Sequence, residues 1–157
     1  MRDIDDDASA LFATVPEVAF VTDYPGLDDE PFATFVRNGA AFIADSDGVD
    51  AGYALVGQVD EDGHVFQVSV RMAQQRKGVG RLLVDQCGEW ARRRWFAALT
   101  LTTFRDAPWN APAYVRMGFK IWPMDLLGPQ LAAILDHERE IGLFRAPRVA
   151  MRRAQSR

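Results

Sequence analysis

The 157-residue chain reads as one α/β domain on a mixed, strongly twisted sheet flanked by helices. Three observations lead there. Asp-Gly pairs at 47–48 and 62–63 separate three β-rich runs, as in an antiparallel meander covering residues 40–70. At Gly80 the hydrophobic period changes from that of a strand to that of a helix. A further β-rich run follows at 96–104, so strand, helix and strand form a parallel crossover. The length suits one domain with a real core and not two.

Each element has its own signal. Residues 3–14 place Ala8, Leu11, Phe12 and Val15 on one side of a short helix. Asp28, Asp29 and Glu30 before Pro31 mark a second helix start, and Asn38-Gly39 its stop. The strands of the meander are AAFIADS (40–46), AGYALVGQV (51–59) and HVFQVSV (64–70). From Val79 to about Arg94, Leu82, Leu83, Gln86, Cys87 and Trp90 share one helical face. After the strand at 96–104 and the loop RDAPWN, APAYVRMG forms a short helix with Pro112 in its first turn and Gly118 closing it. FKIWPM is a strand, LLGPQLAAILDHEREIG a helix and RVAMRR a last, basic strand.

Composition narrows the function classes. No run of eighteen apolar residues is present, so no membrane partner is expected. The acidic start MRDIDDDASALF is not a secretory signal. Cys87 is alone, which rules out a disulfide framework and fits a cytoplasmic location. The net charge of −4 hides an asymmetry: residues 1–62 carry 15 acidic and 2 basic side chains, residues 63–157 carry 7 and 16. One half is suited to a cation and the other to an anion. The basic half is not expected to bind nucleic acid, because the acidic half would repel its backbone and no aromatic platform is interleaved with the basic residues. No metal site is expected.

The informative stretch is VSVRMAQQRKGVGRLLVDQCGEWARRR, residues 68–94. Two glycines and a basic pair stand where a strand hands over to a helix. Backbone N–H groups of such a loop, with the helix dipole behind them, hold phosphate oxygens. Gly78 and Gly80 allow close approach, and Gln75, Arg76, Lys77 and Arg81 add donors and charge. A nucleotide-triphosphatase loop would need Lys and then Ser or Thr after its last glycine, but Arg81 and Leu82 follow Gly80. A dinucleotide fingerprint would need a third glycine where the chain has Leu83.

The run V68-S-V70-R-M-A-Q-Q75-R-K-G78-V-G80 resembles the acetyl-coenzyme A loop of the GCN5-related N-acetyltransferases, the GNAT superfamily. LTTFRDAPWNAPAYVRMGFK is similar to the same family in carrying an Asn, then a Tyr, then Gly-Phe. The likeness spans residues 40–122 and is weak before residue 40. Only MRDI remains for the family's usual first strand, which is therefore expected to be absent or displaced.

The resemblance implies the acyl-CoA N-acyltransferase (GNAT) fold, with substrate-side helices in 1–39, an acetyl-CoA-binding core in 40–122 and a C-terminal helix and strand in 123–157. It implies acetyl-CoA as cofactor and an N-acetyltransferase acting on a primary amine of a small molecule or peptide, by direct attack in a ternary complex. A non-catalytic acetyl-CoA sensor or interaction module is the alternative, and a homodimer is compatible with either. By the same resemblance, the backbone around Arg76, Lys77, Gly78, Val79, Gly80 and Arg81, preceded by Gln75, binds the pyrophosphate. Val68 and Val70 offer main-chain groups to the pantetheine arm, Asn110 hydrogen-bonds that arm, and Thr100 and Thr102 line the slot between splayed strands. Tyr114 protonates the departing thiolate.

The general base is open. Many family members place a Glu on the strand before the glycine loop; here Gln67 is near that place and cannot take a proton at neutral pH. His64, at the strand start, is more suited to the surface than to the role of base, and a chain of ordered water is preferred. His137 is expected in solvent. For the acceptor, Tyr24, Asp28, Asp29, Gln67 and Trp109 are the candidate contacts, and the acidic residues there suit a cationic amine. An inward-pointing Arg105 would instead suit a carboxylate; paired with Asp106 it would only fix the loop.

Overall fold

In the computed structural model, which describes residues 2–23 and 38–156, six strands form one sheet in the order β1-β2-β3-β4-β6-β5. These are β1 Ala40–Ser46, β2 Val49–Val59, β3 Asp62–Val70, β4 Ala98–Phe104, β5 Lys120–Trp122 and β6 Arg148–Ala154. The helices are α1 Arg2–Ser9, α2 Val79–Arg93, α3 Ala111–Arg116 and α4 Pro129–Glu140. The meander is antiparallel, β4 runs parallel to β3, and β6 lies antiparallel between β4 and β5. Among the described residues no helix is long and apolar enough to cross a membrane.

Two tight turns set the meander. The first has Asp47 and Gly48 both at positive φ (53° and 82°), the backbone that suits a two-residue hairpin. The second turns two residues earlier than the Asp-Gly pair implies: Val59 pairs with Asp62, so Asp60-Glu61 makes the bend. Gly63 is therefore a strand residue. A Cβ there would meet Ala91 Cβ at 2.8 Å, so this glycine lets α2 lie close to the sheet.

β2 is buried along both faces. Ala54 and Val56 face α2, where Leu83, Val84, Cys87, Trp90 and Ala91 make up the main core. Leu82, expected on that face, points outward and is 57% exposed, because Val84 takes its share of the stripe. Tyr53 and Leu55 face the other way, onto Ile4 of α1. Phe66 continues that face to α4, where Leu131 and Leu135 close the core.

The N-terminal region differs most from expectation. The helix ends at Ser9, and short 3₁₀ turns follow at Phe12–Thr14 and Pro16–Asp23. Its buried anchor is Ile4 rather than the Ala8 side, while Phe12 and Val15 join a separate cluster around Val18 and Phe104. Residues 2–4 thus lie in a helix, and no strand precedes β1 among the described residues. The second helix expected near Pro31 lies outside the described residues.

Candidate active site

β3 and β4 begin as a parallel pair and then part. They are in register only at Gly63↔Leu99 and His64↔Thr100. A bulge in the β2–β3 ladder, where Phe66 is extra, bends β3 just beyond that point. From Val65 and Leu101 onward the two strands line opposite walls of a cleft of about 670 Å³. The 74–81 loop and the start of α2 form one end, α3 with Asn110 one side, and α1 the opposite end.

The loop is shaped by two left-handed residues, Arg76 at φ 61° and Gly78 at φ 84°. Turns of this kind point successive N–H groups into one concavity. Gly78 is needed for its φ; a Cβ there would touch nothing within 4 Å. Gly80 has ordinary helical backbone, and a Cβ would meet only Val70 Cγ2 at 3.8 Å, so a side chain there would grow toward the cleft. The helix's first intrahelical bond runs from Leu82 N to Gly78 O at 3.0 Å. The N–H groups of Val79, Gly80 and Arg81 come before it and are open to a ligand. Gln75 braces the loop by donating from Nε2 to Val70 O at 2.9 Å. Arg76 and Arg81 line the cleft, whereas Lys77 does not. Arg71 is tied away, donating from Nε to Asp50 O at 2.7 Å.

On the α3 side, Asn110 precedes the helix but makes no side-chain cap bond. Its Oδ1 is buried with no partner among the described residues, as is Trp109 Nε1. A buried polar atom without a partner costs about 1–3 kcal/mol, and both residues line the cleft. Trp109 packs edge-on against Phe12 at 5.3 Å. Tyr114 stands on α3 against Phe119, 5.7 Å between ring centres. Burial pushes its phenol up to about 12, with the nearby Cys87 thiol adding to the effect. The phenol therefore keeps its proton at neutral pH. Cys87 is buried, and its thiol is likewise pushed up to about 12 by burial, an inert core residue.

The opposite end is acidic. Gln67 Nε2 donates to Ser69 Oγ at 2.9 Å and to Asp5 Oδ1 at 3.3 Å. Ser69 Oγ donates to Asp5 Oδ1 at 2.5 Å, and Tyr53 OH to Asp5 Oδ2 at 2.6 Å. Burial, then the bond to Asp5, raises the Tyr53 phenol far above its ordinary range, so it remains a donor. Asp7 accepts from Met72 N at 2.6 Å and joins α1 to the turn before the glycine loop.

Several sequence expectations are corrected here. His64 is neither on the surface nor in the cleft: it is 2% exposed, packed against Phe66, with Nδ1 2.8 Å from Thr100 Oγ1. Burial lowers its pKa to about 3. Thr100, as its partner, lies at the closed end, and only Thr102 lines the slot. Arg105 is exposed and paired with Asp106 at 3.0 Å, so it points to no acceptor. His137 is exposed on α4, as expected.

Val68, Val70, Gln67, Gln75, Arg76 and Gly78 line the cleft, as do Val79, Gly80, Arg81, Trp109, Asn110 and Tyr114. Tyr24, Asp28 and Asp29 lie outside the described residues. Sequence reasoning missed Asp5, Ser69 and Arg148, which also line the cleft. Ser69 alternates in phase with Gln67 along β3, a signal that was available. Asp5 is one of four acids in RDIDDD and carries no signal of its own.

Residues 7–119 match the model of the acetyltransferase (GNAT) family. Among solved structures, the fold is similar to that of a putative streptothricin acetyltransferase from Bacillus anthracis in complex with acetyl coenzyme A (16% identity, TM-score 0.60, 74% of this chain and 63% of that one). The chain thus spans less than two thirds of that relative's length. It is also similar to the ribosomal-protein-S18-alanine N-acetyltransferase of Escherichia coli (21%, TM-score 0.59, 85% and 80%). A third similar structure is PaiA N-acetyltransferase from Thermoplasma acidophilum in complex with coenzyme A (9%, TM-score 0.68, 97% and 89%). With the family model covering well over half of its residues, the chain belongs to the GNAT family of acetyltransferases.

Proposed function

We propose that this chain transfers an acetyl group from acetyl-CoA to a primary amine of a small molecule or peptide, by direct attack of the amine in a ternary complex. The observation that carries the reading is the parting of β3 from β4 beside a helix N-terminus. One strand edge is left unpaired and leads directly to a set of free N–H groups. A long thioester with an amide-bearing arm and a diphosphate matches both in one extended pose. Its arm adds to the edge of β3 at Val68 and Val70. The orphaned Asn110 Oδ1 accepts an N–H from the same arm, and Val79, Gly80 and Arg81 hold the phosphates.

The chemistry follows from the walls. A neutral amine attacks the thioester carbonyl carbon, a C–N bond forms, and the C–S bond breaks. Donors at the end of β3 stabilise the charge that develops on the carbonyl oxygen. Tyr114, kept as a phenol by burial, gives a proton to the departing sulfur. The structures similar to this one include proteins described as acting on streptothricin and on a ribosomal-protein alanine; both types of acceptor present an amine, which supports that class here.

Thiol release from acetyl-CoA, followed over a panel of polyamines, aminoglycosides, amino acids and peptides with free N-termini, tests the proposal. At least one amine is expected to drive release. Gly80→Val, which would fill the approach to the phosphates, is expected to abolish acetyl-CoA binding by calorimetry while leaving the fold intact. Tight binding with no release from any amine would replace the enzyme by a sensor. Unchanged affinity in Gly80→Val would overturn the phosphate assignment.

A further inference from the structure

Acetyl transfer at neutral pH needs a group that takes a proton from the acceptor ammonium, since only the neutral amine attacks. β3 offers Gln67 and Ser69 to the cleft, and neither is a base. Among the described residues the carboxylates that line the cleft, Asp5 and Asp6, come from another element. Asp5 on α1 lines the cleft directly beside Gln67.

The hydrogen bonds around Asp5 have one direction. Gln67 donates to Ser69, Ser69 donates to Asp5, and Tyr53 donates to Asp5 from β2. Three side chains thus offer donors to one carboxyl group, which has the acceptor sites to take them. A carboxylate has about four lone-pair sites, and the three donors leave one, on Oδ2. Ile4, 1% exposed and packed between Tyr53 and Leu55, fixes the helix that carries it. A carboxylate held this firmly at a cleft wall, with one acceptor site left, is suited to a cation.

We propose that Asp5 binds the acceptor ammonium and takes its proton, so that α1 supplies the general base that β3 lacks. This inference rests on the acetyl-transfer reading and adds a residue to it. The proton moves from R–NH₃⁺ to Asp5, leaving R–NH₂ and the carboxylic acid. After attack, the nitrogen loses a second proton as the amide forms. That proton balances the one Tyr114 gives to the sulfur, and the proton on Asp5 returns to solvent. The net products are the acetamide, coenzyme A as free thiol and one proton. The acceptor class follows: an amine protonated in solution, with its cationic end toward α1.

The titratable groups around Asp5 are few. Tyr53 faces it from β2, β3 contributes only the uncharged Gln67 and Ser69, and Asp3, Asp6 and Asp7 share its helix.

The test uses an amine that the wild type acetylates. Asp5→Asn is expected to lower kcat about 100-fold, the lower end of acid–base contributions, with the acetyl-CoA KM within about twofold. Gln67→Glu in the same background returns a carboxylate to the adjacent side chain and is expected to restore turnover to within about tenfold of wild type. Tyr53→Phe keeps the carboxylate but removes one donor that holds it in place, and is expected to raise the acceptor KM about threefold or more with the acetyl-CoA KM unchanged; it tests the assignment even if Asp5→Asn does not fold. Wild-type turnover in Asp5→Asn would overturn the proposal, as would equal losses of turnover and acetyl-CoA affinity, or an unchanged acceptor KM in Tyr53→Phe. In those cases acetyl transfer itself would stand. A wild type that releases no thiol with any amine would overturn both readings.

Discussion

Tyr114 is a partly buried ring and His64 a buried one, and their surroundings push their pKa values in opposite directions. Desolvation favours the neutral form of each, which raises the phenol and lowers the imidazolium. For Tyr114 the result is a cleft-lining phenol that keeps its proton at neutral pH. Tyr114→Phe is expected to reduce turnover about 10- to 100-fold with little change in the acetyl-CoA KM, because the hydroxyl acts mainly in the transition state. Steady-state kinetics would show this, and wild-type turnover would leave Tyr114 as packing only. For His64 the result is a liability in acid. Its folded pKa of about 3 lies below the unfolded value near 6.5. Its contribution to stability is complete above about pH 6.5 and is lost as pH falls toward 3, at up to about 1.4 kcal/mol per pH unit. Urea unfolding across that window should show a slope that His64→Asn flattens. The sequence could not reveal this residue's place. HVFQVSV begins beside a turn, and only the bend of β3 and the partner hydroxyl on β4 bring its first side chain inside.

At the level of elements, most of the strands and helices could be read from their periods, and their ends from turn chemistry. The start and end of α2 and the whole of β1 agree with expectation to within a residue. What could not be read was the neighbour of each element. RVAMRR is visibly a strand, yet nothing in it indicates insertion between β4 and β5. Asp60 shows the same lesson at a cap. It lies in the β2–β3 turn, seventy residues before the start of α4. Its Oδ1 and Oδ2 accept from Gln130 N at 2.9 Å and Leu131 N at 3.0 Å, while its own N–H donates to Gln130 Oε1 at 2.6 Å. This is a reciprocal cap made across the fold. Asp60→Ala should cost about 2 kcal/mol, the upper end for a lost cap, since Ala also tolerates the φ of 53° less well. Thermal or urea unfolding would measure it, and a loss under about 0.5 kcal/mol would show that water replaces the cap.

Across the whole molecule, the charge asymmetry visible in the chain becomes a polarity of the cleft. Arg76 and Arg81 stand at the glycine-loop end and Asp5 and Asp6 at the α1 end. The family motifs made the loop, Asn110 and Tyr114 legible, because each is a local pattern. Asp5 was illegible, because its role comes from Ser69 and Tyr53, more than forty residues away. The parted strands have one more consequence. Only two register pairs, Gly63↔Leu99 and His64↔Thr100, join the half-sheet β1-β2-β3 to the half-sheet β4-β6-β5. Mechanically the sheet is a clothes-peg. The buried His64–Thr100 bond sits at the spring, and the jaws open toward the glycine loop without a cross-strand bond to resist them. A small rotation at the spring becomes a larger displacement at the tip, so a residue at the closed end, far from any reacting atom, sets how wide the jaws stand.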